Sequence, residues 1–162
     1  MSQEVVLRRA TRKDYATILG FHRELYVRFR DQIAQPDLVA LFAYKDMDET
    51  LRDDVDGLLL GRGTRVLLAE REGHALGYVS GHVEVDARRV LSRRGVVEDW
   101  YVRTEVRGCG IGRQLLETLT NWFRDEGCEM VESGTWAFNA AARRAHARAG
   151  FHEIEVKFRK RL

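Results

Sequence analysis

The sequence predicts one α/β domain built around a mixed sheet, and three observations lead there. Its 162 residues suit a single core of ordinary size. Apolar residues recur at helical spacing up to residue 60, take a strand period from residue 64, and then alternate between the two. The resulting order, βααβββαβαβ, is interrupted by no repeat, low-complexity stretch or linker, so the whole of 1–162 reads as one domain.

Val5, Val6 and Leu7 form a short first strand, and Thr11-Arg12-Lys13-Asp14 has the [ST]-x-x-[DE] form of a helix start. Tyr15, Ile18, Leu19, Leu25, Tyr26 and Phe29 carry a first helix to about residue 31. Pro36 interrupts, and an acidic second helix spans 47–60 until Gly61-Arg62-Gly63 breaks it. Strands follow at Thr64–Glu70 and Leu76–Asp86, with Gly77 and Gly81 marking bulges or close backbone approach. An arginine-rich loop covers 87–94, and Gly95–Val102 is the next strand. From Ile111 to Gly127 a helix buries Ile111, Leu115, Leu116, Leu119, Trp122 and Phe123. Glu129–Trp136 returns to a strand and Asn139–Ala149 to a helix that Gly150 ends. Ile154, Val156 and Phe158 alternate with charged residues, which predicts a half-buried final strand.

Composition excludes several classes of protein. With 27 Lys+Arg against 25 Asp+Glu and 44% apolar residues, the chain is neither a disordered polyelectrolyte nor a strongly basic nucleic-acid-binding domain. No apolar run approaches the roughly 20 residues of a membrane span. The first residues have neither the basic nor the apolar region of a signal peptide, and Cys109 and Cys128 are too few for a disulfide framework. These cysteines and the five histidines show no metal-ligand spacing, so a cytoplasmic protein without a metal is expected, with neither nucleic acid nor membrane as partner. The charge is unevenly spread: residues 31–60 hold two cations and eight carboxylates, a net of −6, against +8 over the rest.

The most informative stretch is Glu98-Asp99-Trp100-Tyr101-Val102, followed by Arg107-Gly108-Cys109-Gly110-Ile111-Gly112 and Arg113 opening a helix. Glycines at alternate positions let the backbone turn tightly and approach a ligand, and the unpaired N–H groups of the helix start favour an anion such as a pyrophosphate. Arg113-Gln114 after the glycines excludes a Walker loop, and Arg at 113 breaks the dinucleotide fingerprint G-x-G-x-x-G.

Arg107–Gly112 resembles the coenzyme A pyrophosphate loop of the GNAT superfamily of acetyl-CoA-dependent N-acetyltransferases. Asn139, Ala142 and Gly150-Phe151, in the same order, are similar to that family's Asn-x-x-Ala…Gly-Phe segment. The resemblance covers nearly the whole chain. It implies a central sheet splayed between 95–102 and 129–136, with helices on both faces and a pantetheine arm in the gap bonded to the backbone of Tyr101 and Val102. Arg107, Gly108, Cys109, Gly110, Ile111, Gly112 and Arg113 then surround the pyrophosphate, and Asn139 adds a coenzyme contact beside its role as a helix cap. Acetyl-CoA and a small amine are the implied partners, in a homodimer, since dimers are common among such proteins.

Acetyl transfer to an amine needs a base, because an alkylammonium of pKa ~10.4 arrives protonated at neutral pH. Glu98 and Asp99 are the candidates; the other reading of each is a solvated carboxylate or a salt bridge to Arg103 or to the 87–94 arginines. By alternation they lie on opposite faces and meet only if the strand bulges. Polyamine N-acetyltransferases carry a similar Glu-Asp-aromatic-aromatic-Val run, which supports Glu98 as base with Asp99 assisting at the acceptor. Tyr26, Phe29, Trp100, Tyr101 and Trp136 are mostly core by base rate, and those near the sheet gap, with Trp100 and Tyr26 as the candidates, also line the acceptor pocket. His146 lies seven residues after Asn139, on the same helix face, where most members of the family have the tyrosine read as general acid. A His there, before Gly-Phe and a basic tail, also looks like some aminoglycoside 6′-N-acetyltransferases. Other acceptors remain open, namely a protein N-terminus or a lysine, as does a non-catalytic coenzyme A sensor.

Overall fold

The computed structural model describes residues 4–162. Five strands form one sheet in chain order: β1 (Val6–Arg9), β2 (Thr64–Arg71), β3 (His74–Val85), β4 (Arg93–Val102) and β5 (Met130–Ser133). The first three pairings are antiparallel, and β4 pairs with β5 in parallel. Helices α1 (Tyr15–Arg28) and α2 (Met47–Leu60) cover one face, and α3 (Ile111–Asp125) the other; α4 (Ala140–Arg148) follows β5.

Strand alternation sorts the core into two layers. Val66, Leu68, Tyr78 and Tyr101 pack with Ile18 and Phe21 of α1 and Val55 of α2. Their neighbours Leu67, Ala69, Val79 and Val97 pack with Leu115, Leu119 and Phe123 of α3. The expected stripe of α3 is buried at Ile111, Leu115, Leu116, Leu119 and Phe123.

The helix start at Thr11 is a capping box: the Thr11 hydroxyl accepts from the Lys13 N–H, and Asp14 accepts from the Thr11 N–H at 2.8 Å. Arg8 grips both oxygens of Asp14 (2.7 and 2.9 Å) and both of Glu70, tying the entry of α1 to the β1–β2 edge. Hydrogen bonding to Arg8 holds the Asp14 carboxyl down at about 2. The end of α1 widens into a π-turn over Phe29–Ile33, and Pro36–Leu41 forms a 3-10 turn before α2. Asp46 caps α2 by accepting the Glu49 N–H at 2.9 Å.

Both glycines of β3 sit where the ladder shifts register. A Cβ on Gly77 would collide with the Tyr101 carbonyl and one on Gly81 with the Val96 carbonyl, and the register slips beside each.

Three expectations are corrected. Arg93 and Arg94 belong to β4 rather than to a loop, because Arg94 pairs with Glu84 and Glu132 while Arg93 donates to the Glu126 carbonyl. β5 ends at Ser133, so Trp136 stands in the loop before α4. The tail forms no strand: Ile154 and Phe158 are 90% and 91% exposed. A strand needs a neighbour to pair its backbone, and the tail instead runs outward, held by Glu153 to Arg143 and by Arg159 to the Leu41 carbonyl.

Candidate active site

The splay follows from strand lengths. β4 pairs with β5 only over Arg94–Val97, and β5 then stops, leaving Glu98–Val102 without a neighbour on that side. The Arg103 N–H bonds Leu76 across the β3 side. By alternation the N–H of Val102 therefore turns toward the gap, and Arg107 donates to the Val102 carbonyl at 2.8 Å.

Gly108 and Gly110 adopt φ of +78° and +83°, in the left-handed region that suits glycine. A Cβ at either would project into open space. The first helical bond of α3 runs from the Gln114 N–H to the Gly110 carbonyl, so the Ile111, Gly112 and Arg113 N–H groups have no helical partner. Ile111 is buried and contributes only its backbone, whereas Cys109 and Arg113 are exposed, the latter bonded to Glu117. The turn is an open, amide-lined concavity suited to a pyrophosphate. Trp100 supports it from the α3 face by donating its indole N–H to the Gly112 carbonyl at 2.9 Å, so that side chain stands away from the carboxylates.

The carboxylates do meet. Ser80 pairs with Asp99 and Gly81 with Val97, so Glu98 is the extra residue of a bulge in β4. Both acids then reach the α1–α2 face, Glu98 against His82 and Asp99 against Tyr78 and His22. Neither pairs with Arg103 or with the 87–94 arginines, which serve Glu105, Asp86, Glu84, Glu132 and Glu126.

Asp99 is buried, and its Oδ2 accepts from Tyr78 at 2.8 Å and from His22 Nδ1 at 3.1 Å. The other nitrogen, His22 Nε2, lies 3.0 Å from Asp54 of α2. Facing a carboxylate at each nitrogen, the ring donates twice only as an imidazolium. Burial opposes that charge, but hydrogen bonds and attraction to Asp99 and Asp54 outweigh it and raise His22 to about 9. Burial, with Asp99 adding to it, pushes the Tyr78 phenol well above its ordinary value.

Glu98 is more open. Its Oε1 lies 2.9 Å from His82 Nδ1. Burial raises its carboxyl, the His82 charge pulls it down, and Asp99, Glu84 and Asp54 push it up again. Tyr44 stacks on Tyr26 at 5.1 Å and has its phenol raised by burial and by the charges of Asp54, Tyr26 and Asp99. Tyr26 thus stands beside Tyr44, near the Asp54–Asp99 cluster. Of the acidic helix α2, Asp54 turns into this pocket, Asp48 pairs with Arg23 and Asp46 caps the helix.

His146 Nδ1 lies 2.7 Å from the Ala142 carbonyl, which can only accept, so this nitrogen carries hydrogen. Its Nε2 meets the Ser133 hydroxyl at 2.7 Å, at the end of β5. Trp100 and Phe151 enclose the ring edge-on. Asn139 caps α4 by accepting the Ala142 N–H at 3.1 Å.

Four residues of this constellation, His22, Asp54, Tyr78 and His82, were not singled out by the sequence reading. The signals were there: His22 interrupts the apolar stripe of α1 between Ile18 and Tyr26, and Tyr78, Ser80, His82 and Glu84 put polar atoms on one face of an internal strand. No group of side chains among the described residues has the arrangement of a metal site.

A sheet parted beside an amide-lined glycine turn, with carboxylates gathered at the parting, defines an acyl-transfer class of site. Residues 21–151 match the acetyltransferase (GNAT) family, and the chain belongs to it. It is 31% identical over 114 residues to aminoglycoside N(6')-acetyltransferase type 1 of Stenotrophomonas maltophilia, covering 69% of this chain and 74% of that protein. It is 28% identical over 114 residues to the aminoalkylphosphonate N-acetyltransferase of Salmonella typhimurium, covering 70% and 73%. The fold is similar to that of AAC(6')-Iy in complex with the bisubstrate analog CoA-S-monomethyl-acetylneamine, with a TM-score of 0.75 at 20% identity over 98% of this chain and 99% of that one. The protein is thus a GNAT-family N-acetyltransferase acting on an amine.

Proposed function

We propose that the protein transfers the acetyl group of acetyl-CoA to the primary amine of a small cationic acceptor, aminoglycoside-like or polyamine-like, by direct transfer in a ternary complex. The observation that carries this is the β4 bulge, which gathers Glu98 and Asp99 with Asp54 on one face just where the sheet opens. Anionic walls attract a cation, and the raised Glu98 carboxyl is the better proton acceptor of the group. The open glycine turn fits a pyrophosphate, held by the amides of 108–113 with Arg107 and Arg113 nearby and Asn139 at the start of α4. Acetyl-CoA supplies an activated acyl group whose thiolate leaves readily.

Glu98 takes the ammonium proton and frees the amine lone pair for attack. Asp99, neutralised by His22, orients the cation without competing for the proton. The Val102 N–H, facing the gap, donates to the developing oxyanion. His146, as an imidazolium, hands its Nε2 proton to Ser133, whose hydroxyl passes its own hydrogen to the departing sulfur. Tyr26 and Tyr44 flank the acceptor, and Trp100 acts by fixing the glycine turn.

The same reading places the protein in the cytoplasm, the compartment of acetyl-CoA, as a homodimer whose partner covers Ile154, Val156 and Phe158. Coenzyme A release with sisomicin, spermidine, 2-aminoethylphosphonate and a lysine-containing peptide tests the acceptor. Turnover of a small amine well above that of the peptide is expected. Tight acetyl-CoA binding with no turnover on any amine would favour a sensor instead.

A further inference from the structure

We infer that the Trp136 ring is a second seat for positive charge in the acceptor cleft, and that the acceptor is an elongated amine whose far cation displaces Arg159 of the tail from that ring. The inference rests on the reacting amine lying at Glu98 and Asp99, and adds where the other end of the acceptor goes. Phe29 stacks on the indole, with centroids 5.0 Å apart and planes at 15°, yet Trp136 stays 38% exposed. Arg159 lies over the ring, its guanidinium carbon 5.2 Å from the centroid. The same side chain donates to the Leu41 carbonyl at 2.8 Å, so a carbonyl and a π face hold this cation rather than a carboxylate. The seat therefore already takes a positive charge. Its occupant is lightly held: the tail pairs with no strand, and the neighbouring Phe158 stands in solvent.

One face of α1 joins this seat to the acids. His22, Tyr26 and Phe29 are spaced by four and three residues, so they lie above one another along the helix. His22 meets Asp99, Tyr26 stacks on Tyr44, and Phe29 stacks on Trp136. Seven residues at about 1.5 Å each separate the two ends, a distance of about 10 Å. A second wall keeps the same order: Tyr44 feels the charges of Asp54 and Asp99, Phe42 packs on Trp136, and Leu41 offers its carbonyl to Arg159. Arg30, which leans over Tyr26 between the ends, is neutralised by both oxygens of Asp31. An amine bound at Glu98 and Asp99 thus places a second cation on Trp136 when about eight chain atoms separate its two nitrogens. The terminal amines of spermidine have that spacing, and those of 1,3-diaminopropane fall short of it. Arg159 competes with the far end alone, so the tail sets the affinity for long acceptors without touching the reacting amine.

The test compares coenzyme A release with spermidine and with 1,3-diaminopropane for the wild type, Trp136→Leu and Arg159→Ala. Leucine keeps apolar contact with Phe29 and Phe42 but offers no π face. In Trp136→Leu the KM for spermidine should rise by about fivefold or more with kcat within about twofold, while both constants for diaminopropane stay within about twofold. Arg159→Ala should do the reverse, lowering the KM for spermidine by about two- to fivefold and leaving diaminopropane unchanged. Arg159→Lys, which keeps the charge, should behave as the wild type. Equal effects of Trp136→Leu on the two amines, or none, overturn the seat, as does an Arg159→Ala protein whose KM for spermidine is unchanged or higher. Arg159 is exposed and leaves the core intact when removed, so its variant decides the matter if Trp136→Leu misfolds. If the wild type acetylates neither diamine, the elongated-amine inference is overturned at once, and turnover of sisomicin then shows whether the proposed function stands without it. If it acetylates both and the variants treat them alike, only the seat is overturned.

Discussion

Replacing His22 by Gln removes the one cation that lies between Asp99 and Asp54 at 3.1 and 3.0 Å, and its effect on stability should depend on pH in a calculable way. In the folded protein His22 is raised to about 9 from an ordinary 6.5. At about 1.36 kcal/mol per unit, this corresponds to an upper bound of roughly 3 kcal/mol. Because the folded value is the higher one, the contribution is complete below about pH 6.5 and is lost as pH rises through about 9. Glutamine keeps part of the hydrogen bonding but none of the charge, so His22→Gln should cost about 2–3 kcal/mol near pH 6 and under about 1 near pH 10. Urea unfolding of both proteins across this range is the assay, read as the difference in midpoint at constant slope. Parallel stability curves would refute the claim that an imidazolium holds the two acids together.

Three other outcomes follow from the site. Gly110→Val places a β-branched residue at φ +83° and a side chain in the open turn; coenzyme A affinity by calorimetry should fall by about tenfold or more, and normal affinity would discredit the turn as a pyrophosphate site. Ser133→Ala should lower kcat by about 10²-fold, as should His146→Phe, and the double variant should be little worse than either, since the two act as one unit; independent, multiplying losses would separate them. Thr11→Ala removes the cap of the first helical turn and should cost about 1 kcal/mol in urea unfolding without changing KM; a changed KM would tie the cap to the site.

The parts of the fold legible in the sequence were those set by local chemistry. The Thr11–Asp14 cap, the α3 stripe and the glycines at 108, 110 and 112 declare themselves because each is fixed by backbone geometry or by the period of apolar side chains. The bulge at Glu98 does not. It depends on how β4 registers against β3, and a one-residue slip moves a side chain to the other face. Alternation alone therefore separated Glu98 from Asp99. Trp100, expected at the acceptor as an aromatic near the sheet gap, bonds Gly112 instead. Likewise Asp54 was one of eight carboxylates in an acidic run, and only the packing of α2 against α1 selects it as the partner of His22. The tail misled for the opposite reason: its alternation is genuine, but pattern alone does not supply a strand to pair with. The charge segregation noted at the outset is narrower than it looked, since α2 turns a single carboxylate, Asp54, into the pocket.

The central claim is that Glu98 receives the acceptor's proton. It is tested most directly by the pH dependence of kcat/KM for wild type and Glu98→Gln with acetyl-CoA and the preferred amine. The wild-type rate should fall at acid pH as the raised Glu98 carboxyl protonates. In the variant the rate should drop by about 10²-fold or more and that limb should vanish. A variant that keeps the wild-type acid limb, at whatever rate, would contradict the account.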